Sequence, residues 1–231
     1  MPSPAKKLPK YVFVFFAALI AAYALSYYWH SDTPFSVRYH ALNPVGVYSH
    51  FIGAGFALFF GGLQVFSKVG SNNHRLIGYG YCLGVTVGSI GGCYLAFNSY
   101  LGIVTGLGFF IADLLWITTT IIAVQQVRAG RIRAHRRWIW RSMALTSAGI
   151  SLRILLPLLS IFFSFNTSYI IVAWLCWIGN LIFVEIYLYR SSSRPITKTQ
   201  LRKGIEHHEN IAPSFYPGER QPTHGKLREH S

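Results

Sequence analysis

Three ionisable residues, Asp113, Arg153 and Glu185, stand inside stretches of sequence that are otherwise apolar. At the centre of a bilayer such a group costs at least about 2.5 to 3.5 kcal/mol on insertion scales, so each calls for a partner or a function. Histidines form a second set: His74 precedes one apolar stretch, His135 precedes another, and His50 lies near the start of a third. Two imidazoles at one depth on different helices are what a six-coordinate b-type haem needs, since each gives one nitrogen to the iron. Arg137 and Arg141 follow His135 closely, and Asn180 adds an amide to the last apolar stretch.

The elements that carry these residues follow from composition. Hydrophobic residues make up 52% of the 231 and charged residues only 12%, well below the roughly one-quarter charged content of soluble domains. The chain reads as an integral membrane protein whose surroundings are a lipid bilayer. Its net charge of +14 does not point to nucleic acid, because the basic residues lie between apolar stretches rather than on a soluble face. Cys82, Cys93 and Cys176 have neither CxxC nor metal-ligand spacing and read as packing residues.

Six stretches are long enough to span at about 20 residues each. The first is 11–29, preceded by Lys6, Lys7 and Lys10; a cleaved signal peptide ending at Ala22-Tyr23-Ala24 is its rival, disfavoured because the apolar run continues to Tyr27-Tyr28. The others run from Val47 to Phe66, Leu76 to Asn98, Gly102 to Gln126, from near Trp138 onward, and Tyr169 to Tyr189. The expected fold is an all-α integral membrane bundle of six transmembrane helices over 11–190, with a short N-terminus (1–10) and a largely disordered tail (191–231), too poor in large apolar residues to build a core. His207-His208 in that tail reads as solvated.

Lys and Arg sort by side. The N-terminus, the turn with Lys68 and Arg75, the run from Arg128 to Arg137 and the tail from Arg190 fall on one side, against Arg38 alone on the other. The positive-inside rule then puts both termini in the cytoplasm and the expected location is the plasma (inner) membrane. Two small-residue stripes, Gly53, Ala57, Gly61 and Gly80, Gly84, Gly88, Gly92, predict a tight antiparallel hairpin of the second and third spans, packing being favoured over room for a flat cofactor.

At about 1.5 Å per residue, Asp113 and Arg153 each lie roughly 20 Å from the cytoplasmic ends of their helices, which allows either a structural or a functional pair. Glu185 lies only about 8 Å from that end on the same count, nearer Arg141, Arg137 and His135. The spacing thus predicts a cytoplasmic-face cluster of His74, His135, Arg137, Arg141 and Glu185, with His50 apart near the outer side.

In order, His50 with Gly53 and Gln64, His74-Arg75 with Gly78 and Tyr81, Ala134-His135-Arg136-Arg137-Trp138 with Arg141-Ser142, Leu152-Arg153 and Pro157, and Trp174, Asn180 and Glu185 resemble domain-of-unknown-function family 2306, a family of predicted multi-pass membrane proteins. The resemblance covers about Val47 to Arg190. It departs at Leu76, where the family usually has tryptophan, and at Tyr79, where it usually has arginine; Asp113 is not a position associated with the family. The resemblance implies architecture and candidate positions, and no activity.

Three function classes stay open. The first is a redox protein holding haem b or another cofactor through His74 and His135, with Glu185 orienting one histidine and Arg137 and Arg141 balancing propionate charge. The second is a small-molecule or ion carrier using Asp113, Arg153 and Asn180, against which the sequence offers no inverted repeat or broken helix pair. The third is an assembly or scaffold protein without chemistry. Oligomeric state and a membrane-protein partner are left open. No soluble-enzyme motif stands in a suitable context, and whether the protein is an enzyme is left undecided.

Overall fold

The computed structural model describes residues 34–192. The expected N-terminus (1–10), the first expected span (11–29) and the tail from 193 lie outside the described residues. Helix α1 (Pro34–Ala41) is short. Helices α2 (Pro44–Gln64), α3 (Asn72–Phe97), α4 (Ile103–Arg128) and α7 (Phe165–Ser192) are each long and apolar enough to cross a membrane, and α5 (Ile132–Thr146) with α6 (Ala148–Leu159) makes a fifth crossing. Among the described residues the chain is all-helical, with no strand and five candidate crossings. Of the described residues, those up to Leu188 belong to one compact unit, and the end of α7 from Tyr189 belongs to a second.

Local chemistry sets the boundaries. The Asn43 side chain accepts the Val45 N–H at 2.9 Å and Pro44 takes the first helical position, where its missing N–H costs nothing. Ser71 caps α3 by accepting the His74 N–H. At Gly130 φ is +72°, a conformation that ends α4 without strain. Nothing between Ile132 and Trp138 breaks a helix, so α5 starts at Ile132, six residues ahead of the expected position. Arg133, Arg136 and Arg137 therefore sit on its first turns, from which long basic side chains reach headgroup depth.

The α2–α3 hairpin is as tight as its glycines predict. A Cβ on Gly53 would collide with the Gly88 amide and lie 2.6 Å from Gly88 Cα; one on Gly84 would lie 2.6 Å from Ala57 N. The backbones touch, which compensates for the lack of a hydrophobic driving force between helices in lipid. The four glycines of α3 do different work, however. Gly84 and Gly88 meet the α2 backbone, Gly80 meets the Phe60 ring, and Gly92 faces α4.

Side chains are distributed inside out. Ala57, Val85, Thr105, Ser142 and Val172 are buried, while Phe59, Leu83, Ile90, Ile182 and Phe183 are exposed. An exposed apolar surface on this scale is a lipid face. Leu76 and Tyr79, the two departures from the family pattern, are 71% and 69% exposed, so both belong to that face and leave the interior unchanged. Alternating helix directions put Lys68, Arg75 and Arg128 to Arg137 at one end, called the basic end below. Arg38, Ser99 and the α6–α7 turn mark the opposite end, where Arg38 donates to the carbonyls of Asn98 and Ser99.

Candidate functional site

The fifth crossing is interrupted at Ser147. Ser147 is a turn residue between α5 and α6: its N–H still reaches Met143 O at 3.0 Å, and Ile150 N–H and Ser151 N–H both turn to Ser147 O at 3.0 Å. The cause is legible in the side chains. Thr146 Oγ1 donates to Ser142 O at 3.0 Å and Ser147 Oγ to Met143 O at 2.9 Å, and hydroxyls bonding back to the preceding turn bend helices. Asn180 on α7 spans the break, donating from Nδ2 to the Ala144 carbonyl at 3.1 Å and accepting from Ser151 Oγ at 2.9 Å.

Beside the break lies a cavity of about 210 Å³, lined among others by Ala148, Gly149 and Arg153 from α6, Asp113 and Trp116 from α4, His50 from α2 and Tyr39 from α1. The sequence set Asp113 and Arg153 at one depth; both reach this cavity, joined by His50, which had been set apart. They do not pair. Asp113 is 8% exposed, and among the described residues its carboxylate makes no hydrogen bond or ion pair. It occupies the space that Gly92 leaves by having no side chain. Arg153 Nη1 donates to Gly149 O at 2.8 Å, and its charge acts on His50 and Tyr39. His50 Nδ1 donates to Gly88 O at 3.0 Å; a carbonyl cannot donate, so the proton is on Nδ1, and in the neutral ring Nε2 is left as an acceptor. Tyr39, outside the crossings, has its phenol pushed up to about 12 by burial, against the opposing pull of its Tyr169 hydrogen bond and the nearby arginines. Asn180, expected on a path with these residues, braces the helix break and is not among the residues that line the cavity.

The expected cluster at the basic end is brought together only in part. Arg141 and Glu185 form a two-point ion pair, Nε to Oε1 at 2.5 Å and Nη2 to Oε2 at 2.9 Å, with the guanidinium 4.6 Å from the Trp138 ring centroid. Both carboxylate oxygens of Glu185 are thus engaged by Arg141, and neither orients a histidine. Arg137 is exposed, near enough for its charge to act on Glu185. His74 Nδ1 meets Ser67 Oγ at 2.8 Å, and His135 Nδ1 donates to Ala123 O at 2.8 Å. The two histidines are electrostatic neighbours. Among the described residues no three or more His, Cys, Asp or Glu side chains are grouped to hold a metal ion.

A feature the sequence reading passed over joins the two regions. Tyr81 OH lies 2.6 Å from Ser142 Oγ and 2.8 Å from Thr146 Oγ1, Thr120 Oγ1 lies 2.7 Å from Ser142 Oγ, and Trp116 Nε1 donates to Thr146 Oγ1 at 2.9 Å. The available signal was the four-residue spacing of Ser142 and Thr146 inside an apolar span, which puts two hydroxyls on one helical face.

No curated protein and no solved structure matches the chain. The family model described as "Predicted membrane protein (DUF2306)" matches residues 47–188, more than half of the sequence and all five described crossings in whole or large part. The order of histidines, arginines and glycines that gave the resemblance falls within that match, and the chain is an integral membrane protein that belongs to the DUF2306 family of predicted membrane proteins.

Proposed function

We propose that the protein is a carrier for a small anionic or zwitterionic solute, bound in the cavity between Arg153 and Asp113. The observation that carries this reading is the interrupted helix. Ala148 and Gly149, at the start of α6, line the same cavity as the Arg153 guanidinium, and a helix start within a membrane is a favourable place for negative charge. Asp113, without a hydrogen-bond partner among the described residues, is the complementary acceptor for a donor group on the solute. The test is uptake of radiolabelled small carboxylates and amino acids by proteoliposomes of the full chain. Arg153→Ala abolishes uptake, whereas His74→Ala and His135→Ala retain it; unchanged flux in Arg153→Ala would end the proposal.

A second reading, a b-type haem or other redox cofactor at the basic end, is favoured by one observation. Both His74 and His135 have Nδ1 engaged within the protein, which orients each ring and leaves Nε2 for an external bond. Absorption of the purified protein after expression with ample haem decides it: a Soret band lost in His74→Ala and His135→Ala supports the cofactor, and no Soret band removes it. A scaffold role without chemistry has no specific observation in its favour.

The same reading includes six crossings, the first at 11–29, with both termini on the cytoplasmic side of a plasma (inner) membrane. It rests on the Lys/Arg distribution. Cysteine-labelling from each side at positions 3 and 225 tests it, and opposite accessibility of the two sites would remove the even number of crossings.

A further inference from the structure

We infer that Thr120, Ser142, Tyr81 and Thr146 form a proton relay between the cavity and the basic end. The inference stands on the hydroxyl chain alone and does not depend on which solute the cavity takes. Thr146 lines the cavity that holds Asp113. From its Oγ1 the chain runs 2.8 Å to Tyr81 OH, 2.6 Å to Ser142 Oγ and 2.7 Å to Thr120 Oγ1. Thr120 in turn lines a second cleft, of about 290 Å³ between α3 and α4, whose lining includes Gln125 and Arg128 at the basic end. Four hydroxyls on three helices thus connect two clefts through the middle of the bundle, where the surrounding residues are apolar.

Bookkeeping of the hydrogens separates a relay from a static brace. Each hydroxyl has one proton and at least two acceptors within reach. In one arrangement Thr120 donates to Ser142, Ser142 to Tyr81, Tyr81 to Thr146, and Thr146 to the Ser142 carbonyl at 3.0 Å. In the other every donor is reversed, and Thr120 donates to the Trp116 carbonyl at 2.8 Å. Trp116 Nε1 donates to Thr146 Oγ1 in both. A backbone carbonyl waits at each end to take the terminal hydrogen, so both directions of the chain are satisfied, and rotation of four O–H bonds interconverts them.

A proton arriving from water in the second cleft forms a new O–H bond on Thr120 Oγ1. The proton Thr120 held passes to Ser142 Oγ, that of Ser142 to Tyr81 OH, that of Tyr81 to Thr146 Oγ1, and that of Thr146, turned from the Ser142 carbonyl, leaves to water in the cavity that Asp113 also lines. One proton enters and one leaves, no oxidation state changes, and the chain is left in its reversed arrangement, ready to reset by rotation.

The full chain in liposomes loaded with a pH-sensitive dye, with no organic solute and with a potassium diffusion potential imposed by valinomycin, tests the relay. Wild-type vesicles acidify faster than empty ones. Tyr81→Phe, Ser142→Ala and Thr120→Val fall to the empty-vesicle rate; Thr120→Ser, which keeps the hydroxyl, conducts. Thr119→Val conducts as well, because Thr119 Oγ1 donates only to carbonyls of its own helix, Leu115 O and Trp116 O. Thermal melting separates loss of the relay from loss of the fold, and the isosteric Thr120→Val against Thr120→Ser keeps the comparison decisive if Tyr81→Phe does not fold. Wild-type vesicles no faster than empty ones, or Thr120→Val conducting like Thr120→Ser, would overturn the relay. Because no solute is present, neither result bears on the uptake assay.

Discussion

Gly92 and Asp113 fit as notch and plug: a Cβ at residue 92 would stand 2.6 Å from Asp113 Cγ and 2.7 Å from Oδ1, so the carboxyl group occupies the volume of the missing side chain. Gly92→Ala forces that carboxyl out of place at an overpacking cost of about 1–3 kcal/mol. Gly55→Ala, with open space around the added methyl, gains about 0.4–1 kcal/mol by removing backbone freedom from the unfolded chain. The decisive measurement is the double variant Gly92→Ala/Asp113→Ala. Its stability in detergent returns most of the way to that of Asp113→Ala, and additive losses in the two single variants would show that the two residues do not share one space.

The same logic ranks the hairpin glycines by what they touch. At Gly53 an added methyl meets the backbone of Gly88, which cannot move without separating the helices; at Gly80 it meets the Phe60 ring at 2.9 Å, which can swing aside. Gly53→Ala therefore lowers the melting temperature more than Gly80→Ala, although both belong to small-residue stripes of equal regularity. A reversed order in thermal unfolding would contradict the backbone contact.

The stripes, the five described crossings and the common cavity of Asp113 and Arg153 were legible in the sequence because each depends on helical periodicity alone, a property of one segment at a time. What was not legible depends on rotation of one helix against another. His50 joins the cavity because α2 turns it toward the Gly88 carbonyl of α3, and Glu185 is taken up by Arg141 rather than by a histidine because α7 presents it to that face of α5. The break at Ser147 is an intermediate case. Thr146 and Ser147 advertise back-bonding hydroxyls, but the same pair in an unbraced helix need not open it; the brace, Asn180, comes from another segment.

The Arg141–Glu185 pair is half in water, its side chains 19% and 51% exposed. Such a pair is worth about 0–1 kcal/mol despite its two-point geometry. Glu185→Gln accordingly lowers stability by less than about 1 kcal/mol, and high salt removes much of the difference. Arg141→Lys loses the fork geometry and behaves like Glu185→Gln rather than like wild type. A larger, salt-insensitive loss in chemical unfolding would mean that the pair is enclosed in the assembled protein.

Ser147→Ala removes one hydrogen bond, the Ser147 hydroxyl to the Met143 carbonyl, and with it part of the cause of the break. The helix then gains by running α5 and α6 together through residue 147. Alanine also exceeds serine in helix propensity by a few tenths of a kcal/mol, so the variant is slightly more stable than wild type. Closure removes the helix start at Ala148 and Gly149 from the cavity, so solute uptake falls while stability rises, a sign opposite to that of damage to the fold. Amide hydrogen exchange reads the step directly: Ala148 and Gly149 exchange more slowly in Ser147→Ala than in wild type, while amides of α2 and α3 keep their rates. Faster exchange at these two amides, or uptake rising together with stability, would show that the helix start at Ala148 is not what the solute uses.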